Sequence, residues 1–226
     1  MDIYKLNKSI YLFKNNAVEF LNGLTSNDMD KPRNAFLNVH GKIVATFDQQ
    51  KISEDQVLLV LEKEYNDVVF THIDKYLKLS GIRTQGLENH VYFDLSGNST
   101  LENIQWEIPQ KKGRFIISAK EYESNVSDEE FLRFRLRNDI PWLGIDYKDD
   151  FLLNVSINEF ASFTKGCYLG QEPVSKVYNR SQPTWQLVVR SEQECSEEEV
   201  KKMTSKCEID EKVMGFVFVK NTGEKT

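Results

Sequence analysis

The chain has 226 residues, 40% of them hydrophobic and 28% charged, with a formal net charge of −6. This is an ordinary globular composition on a chain long enough to bury a sizeable core. The acidic balance excludes bulk attraction to nucleic acid or an anionic membrane surface, and no apolar run approaches the ~20 residues that span a bilayer.

The opening stretch "MDIYKLNKSIYLFKNN" is interrupted by lysine and asparagine and lacks the apolar centre of a secretory leader. Cytoplasm is therefore the expected compartment. Residues 3–13 are rich in β-branched and aromatic side chains and predict a strand or a pair of short strands. Asn16 is a candidate N-cap for a helix over Ala17–Leu24, and "TSND" after it offers Asx-type turn bonding. "AFLNV" and "KIVATFD" form a hairpin around His40-Gly41, where glycine supplies the positive φ of a tight turn. "QVLLVLE" (56–62), apolar throughout, predicts a central strand.

From Glu64 to Leu79, Tyr65, Val68, Val69, Ile73, Tyr76 and Leu77 recur at helical spacing, and Gly81 closes that helix. Strands are expected at 82–85, 90–95, 104–108 and 114–118. Ser127 with Glu130 makes a capping box for a helix from Asp128 to about Asn138, which must stop by Ile140 because Pro141 follows. "TWQLVVR" and "KVMGFVFVK" are strands joined by an acidic, charge-dense connection. The fold class is α+β: a body over 1–180 and an abbreviated C-terminal β unit over 181–226.

The cysteines are Cys167, Cys195 and Cys207, an odd number at wide spacing that suits a reducing compartment. His40, His72 and His90 lie far apart in sequence, and there is no C-x-x-C, H-E-x-x-H or P-loop. No self-contained metal site is expected. Cys167 sits in "KGCYLGQE". Lys165 can favour its thiolate, Gly166 and Gly170 allow unusual backbone angles, and Glu172 can orient a cation or accept a proton. Read from its neighbours alone, Cys167 is either a reactive thiol or a small buried hydrophobe.

"KGCYLGQE" (Lys165–Glu172) resembles the K-G-C-Y-x-G-Q-E signature of the YgfZ-type folate-binding proteins, relatives of the glycine cleavage T-protein (aminomethyltransferase). "FLNGLTSND" (Phe20–Asp28), "AFLNVHGKIVATF" (Ala35–Phe47) and "RLRNDIPWLG" (Arg135–Gly144) are similar to further family elements in the same order. The likeness covers roughly residues 3 to 190. It implies subdomains around a central channel that takes tetrahydrofolate or a one-carbon derivative. It also implies a role in assembling or repairing iron–sulfur clusters, including those of tRNA-modifying enzymes. The partners it implies are iron–sulfur enzymes or cluster carriers, with neither nucleic acid nor membrane bound directly. Cys167 corresponds to the family's functional cysteine.

Folate contacts are expected from Asn27, Asp28, Asn154, Lys165, Tyr168, Glu172 and Arg180. Asn27 and Asp28 either border the channel or cap a turn. Arg180 and Lys176, read as lying on a strand, either grip the carboxylates of the folate tail or line a solvated edge. Tyr168 and Trp142 supply pterin-facing aromatic surface or core.

The chain departs from the family in three places. Ala45 and Thr46 replace an aspartate pair, while Asp48 shares the face of Thr46 and not of Ala45. Leu153-Asn154 stands where relatives carry proline and an acidic or amide residue. The C-terminal unit is short. The missing pair weighs against the alternative of an aminomethyl or methyl transferase; a folate-sensing module is the other alternative.

Overall fold

A computed structural model describes residues 2–221. Residues 3–14 make two strands that go separate ways. β1 (Ile3–Leu6) pairs antiparallel with β7 (His90–Asp94), whereas β2 (Lys8–Lys14) pairs with β5 (Gln56–Glu62) and β6 (Arg83–Leu87). Only Asn7 separates them. With β3 (Arg33–Leu37) and β4 (Ile43–Ser53) they build a five-stranded sheet of order β3-β4-β5-β2-β6. A four-stranded sheet, β1-β7-β9-β8, takes in β8 (Ile104–Pro109) and β9 (Arg114–Ser118).

The unbroken apolar run of β5 follows from its position. Val57, Leu59 and Leu61 enter one core with Phe13, Phe36 and Ala45, while Leu58 and Val60 enter a second core between the two sheets. A strand covered on both faces has no use for polar alternation. The four-stranded sheet repeats the pattern on a smaller scale: Val91 and Phe93 face the five-stranded sheet, and Tyr92 faces a cap that includes Leu101 and Tyr122.

Helix α1 (Ala17–Asn22) packs into the first core through Ala17, Val18 and Leu21. Asn16 precedes it in a left-handed conformation with no side-chain cap to the helix N–H groups, so the expected N-cap bond is absent. Helix α2 (Asn66–Ser80) closes at Gly81, φ +72°, as its sequence requires. Its buried side is Val69 and Ile73; Val68, expected inward, is 47% exposed because it falls one residue off that stripe. Helix α3 (Asp128–Arg137) opens on the complete Ser127–Glu130 capping box and buries Phe131, Arg135 and Leu136.

After the short helix α4 (Leu152–Val155) comes α5 (Gln171–Arg180). This corrects the strand expected under Lys176 and Arg180. Glu172 and Pro173 lie in the first turn, where proline costs no hydrogen bond, and Val174 and Val177 turn inward at helical spacing. The acidic connection is also folded: it holds α6 (Glu197–Lys202) and a strand, β11 (Thr204–Ile209). Together with β10 (Trp185–Ser191) and β12 (Lys212–Lys220), β11 makes a three-stranded sheet of order β10-β12-β11. Leu187 and Phe216 of that sheet belong to the main core. Residues 222–226 of the expected C-terminal unit lie outside the described residues. Among those described, no helix is long and apolar enough to cross a membrane.

A buried ion pair, Arg135–Asp146, also holds the three-stranded sheet through Thr204 and Ser205. Asp146, on the loop after α3, accepts from Arg135 Nη2, from the Trp142 N–H at 2.7 Å, and from the Thr204 and Ser205 hydroxyls at 2.8 and 2.5 Å. Its side chain is fully buried and that of Arg135 is 6% exposed. Burial pulls the Arg135 pKa below its ordinary value, with Asp146 opposing the shift.

Candidate functional site

Where a central channel is expected, the space between the two large sheets is narrow. A hollow of about 20 Å³ remains, lined by Lys8, Arg33, Thr46, Asp48, Trp142 and Tyr147 among others. That is room for about one water. Strand register makes it narrow: Lys8 lies directly opposite Glu62, and Arg33 opposite Asp48. Lys8 Nζ is 2.5 Å from Glu62 and 3.8 Å from Asp48, and it sits 4.8 Å above the Trp142 ring. Gln110 Nε2 donates to Asp48 at 2.8 Å.

Thr46 and Asp48 face this hollow while Ala45 faces the other core, as strand alternation requires. Tyr147 bonds Thr46 at 2.7 Å, and burial raises its pKa well above the ordinary phenol value. Burial opposes the charge on Arg33, yet Glu159 and Asp48 outweigh it and raise the guanidinium pKa. Arg33 Nε is nevertheless buried with no hydrogen-bond partner, standing 3.7 Å from Asp48 Oδ1.

Next to the hollow, residues 25–34 form a polar knot. The Asn34 side chain accepts from the Asn27 and Ala35 N–H groups at 2.7 and 2.9 Å and donates to Thr25 Oγ1 at 3.1 Å. Asn27 Nδ2 donates to the carbonyls of Arg33 and Glu159 at 2.9 and 3.0 Å. The Asn27 amide is thereby spent on holding the loop, and Asp28 beside it is half-buried.

Lys165 plugs into this knot. Its Nζ donates to the Thr25 and Asn27 carbonyls at 2.8 and 2.7 Å and lies 5.3 Å from the Tyr168 ring centre. The ammonium is thus committed to the main chain, and no bond runs from it to the Cys167 sulfur. Burial lowers the Lys165 pKa to about 8, Asp28 pulling weakly the other way. The unfolded chain, with its lysine near 10.5, binds more protons above pH 8, so stability rises with pH there. Burial raises Tyr168 to about 12, which reverses the slope beyond pH 10. Urea unfolding of wild type and Lys165→Met should diverge by about 1–2 kcal/mol in favour of wild type between pH 8 and pH 10. A constant difference would mean that the ammonium stays solvated.

Cys167 is exposed, so the sealed-hydrophobe alternative does not describe it. Tyr168 is 7% exposed, a core residue whose buried hydroxyl has no partner. Gly170 has φ +83°, and a Cβ there would meet the Asn38 carbonyl oxygen at 2.4 Å; only glycine lets α5 start against the β3–β4 hairpin. Gly166 needs no unusual backbone angle and has open space around it, against expectation. Glu172 and Arg180 are both exposed, in the first and last turns of α5. Each complements the helix dipole from there.

The roomier space lies one layer out. A cleft of about 560 Å³ is lined by Asn27, Asp28, Lys31, Arg33, Gln110, Lys111, Glu159, residues 161–164 and Tyr178 of α5 among others. Phe163 and Tyr178 stack there, ring centres 3.5 Å apart and planes 9° apart. Asn154 is elsewhere: it lines a groove of about 410 Å³ with Asp150, Trp185 and Phe218 that shares no residue with the cleft. Of the expected contacts, then, Asn27 and Asp28 line the cleft and Lys165 supports it from behind. Tyr168, Glu172, Arg180 and Asn154 do not line it.

Arg33, Phe163 and Tyr178 were not singled out from the sequence. Arg33 becomes conspicuous only through its register with Asp48. Tyr178 reaches Phe163 because 171–180 is a helix, and Pro173 in its first turn with Arg180 in its last was the available signal.

No protein-family model and no curated protein matches the chain. Among solved structures it is similar to the crystal structure of glycine cleavage system aminomethyltransferase T from Bartonella henselae, with a TM-score of 0.74 and 12% identity. The similarity covers 97% of this chain and 78% of that one. At that identity the likeness is one of fold.

Proposed function

We propose that this chain is a cytoplasmic accessory protein that binds a tetrahydrofolate in the outer cleft and offers the Cys167 thiol to an iron–sulfur enzyme or cluster carrier, whose cluster is cargo. The observation that carries this reading is the Lys165 anchor. It ties the loop bearing Cys167 to Asn27, which lines the cleft, and the same loop supplies Phe163 and Thr164 to the lining. A ligand in the cleft touches both supports of the cysteine.

The residues fit such a ligand in one place and not the other. A bicyclic ring is far larger than the 20 Å³ hollow, whereas 560 Å³ lies within the usual range for small-molecule sites. The fold likeness to an aminomethyltransferase and the "KGCYLGQE" resemblance support a folate. An accessory role is favoured over transfer chemistry because Asp48, the one carboxylate on that strand face, is engaged by Gln110, Lys8 and Arg33. It is poorly placed to move a proton at a ligand.

Thermal unfolding with folinic acid, a stable formyl-tetrahydrofolate, tests the binding step. At a hundred times Kd a ligand adds about 2.7 kcal/mol, which raises the melting temperature of a chain this size by roughly 5–10 °C. A flat response at millimolar ligand would overturn the reading.

A further inference from the structure

We infer that the groove beside the C-terminal sheet is a docking surface for a basic segment of a partner protein. The segment lays an aliphatic or aromatic side chain on Trp185 and sets lysine or arginine side chains against the carboxylates around it. This goes beyond the folate reading, since the groove shares no residue with the cleft. Two observations carry it.

The first is an apolar face that runs past the core it belongs to. Trp185 pairs with Lys220, Leu187 with Phe218 and Val189 with Phe216, so by strand alternation these side chains share one face of the sheet. Leu187 and Phe216 are buried in the main core, and Phe218 packs against it. The next apolar position outward is Trp185, which is 43% exposed and lines the groove of about 410 Å³ together with Phe218. Among the described residues no ring stacks on Trp185 and no cation sits over it. An indole left in water at the end of a buried face is the type of anchor around which protein interfaces form.

The second is charge. Asp150, Glu198 and Glu199 line the same groove, against Lys202 and Lys220. Lys202 is already held by Glu198 at 2.6 Å, whereas Asp150 and Glu199 have no ion-pair partner among the described residues. Asp150 is half-buried, and burial, with Asp149 adding to it, raises its pKa against the pull of the Lys148 N–H and Lys42. Just before Glu198 the chain places Glu192, Glu194 and Glu197, of which Glu192 is matched by Lys206 at 2.8 Å. The field over the groove is therefore acidic. It attracts a basic segment and repels an acidic one.

Isothermal titration of the full chain at about 50 mM salt with two capped hexapeptides, acetyl-KRLLKR-amide and its charge-reversed form acetyl-EDLLDE-amide, decides it. The basic peptide should bind and the acidic one should not, and raising the salt to about 300 mM should weaken binding several-fold. Trp185→Ala should bind the basic peptide roughly tenfold more weakly and Asp150→Asn about threefold, both with the wild-type far-ultraviolet spectrum. Absence of basic-peptide binding at millimolar concentration overturns the proposal, as does equal binding of the acidic peptide. Unchanged affinity in Trp185→Ala places the peptide elsewhere on the acidic surface and overturns it too. Asp150→Asn keeps the test open if Trp185→Ala fails to fold, because unchanged affinity there removes the charge assignment. Sedimentation equilibrium closes the remaining case: self-association of wild type that Trp185→Ala abolishes makes a second copy of this chain the occupant and overturns the basic partner.

Discussion

Asp146→Ala lowers the free energy of unfolding by about 3–5 kcal/mol and the melting temperature by on the order of 10 °C. Two effects add at one atom group. The substitution strands the Arg135 guanidinium, 6% exposed, in a site stacked between Trp142 and Phe216. It also takes the acceptor from Thr204 and Ser205, the polar anchor of the C-terminal sheet on the body. Asp146→Asn keeps the shape and part of the hydrogen bonding but not the charge, so it recovers only part of the loss. Urea unfolding measures both. A loss below about 1 kcal/mol for the alanine variant would show that water reaches Arg135 and that the latch is cosmetic.

On the proposed function, Cys167→Ala is expected to abolish activity in cells and to leave the protein otherwise intact. The thiol is exposed and makes no hydrogen bond, so its removal should change stability by no more than about 0.5 kcal/mol. Folinic acid affinity should stay within about twofold, because Cys167 does not line the cleft. What disappears is the activity of cluster-dependent enzymes, measured in cells that depend on this chain for it. Full activity in the variant would remove the cysteine from the mechanism and leave a folate-binding module. A large loss of stability would instead make Cys167 a packing residue, contrary to its exposure.

The local rules read well from sequence where they needed no partner. The Ser127–Glu130 capping box, the Gly41 hairpin and the Gly81 stop all depend on residues within a few positions of one another. Doubly buried β5 was readable because no alternation interrupts it. The charge cluster in the centre was not readable. Lys8 and Glu62 are 54 positions apart and Arg33 and Glu159 are 126 apart, and neither pair exists until register is set.

The site divides along the same line. Asn27 and Asp28 were found through the resemblance and Lys165 from its place beside Cys167; in the fold the Lys165 ammonium goes to main-chain carbonyls, and no hydrogen bond runs from it to the sulfur. The strand expected under Lys176 and Arg180 hid the helix that carries Tyr178. With it went the aromatic pair that lines the cleft.

The divergence of β1 and β2 after Asn7 has a consequence for synthesis on the ribosome. β2 cannot be covered on both edges until β5 and β6 emerge, and β1 must wait for β7, whose Asp94 pairs with Ile3. At roughly 5–20 residues per second, the nascent N-terminal segment spends several seconds with unsatisfied strand edges and naked aromatic surface. In that interval the stretch is open to chaperone capture or to pairing with a neighbouring nascent chain.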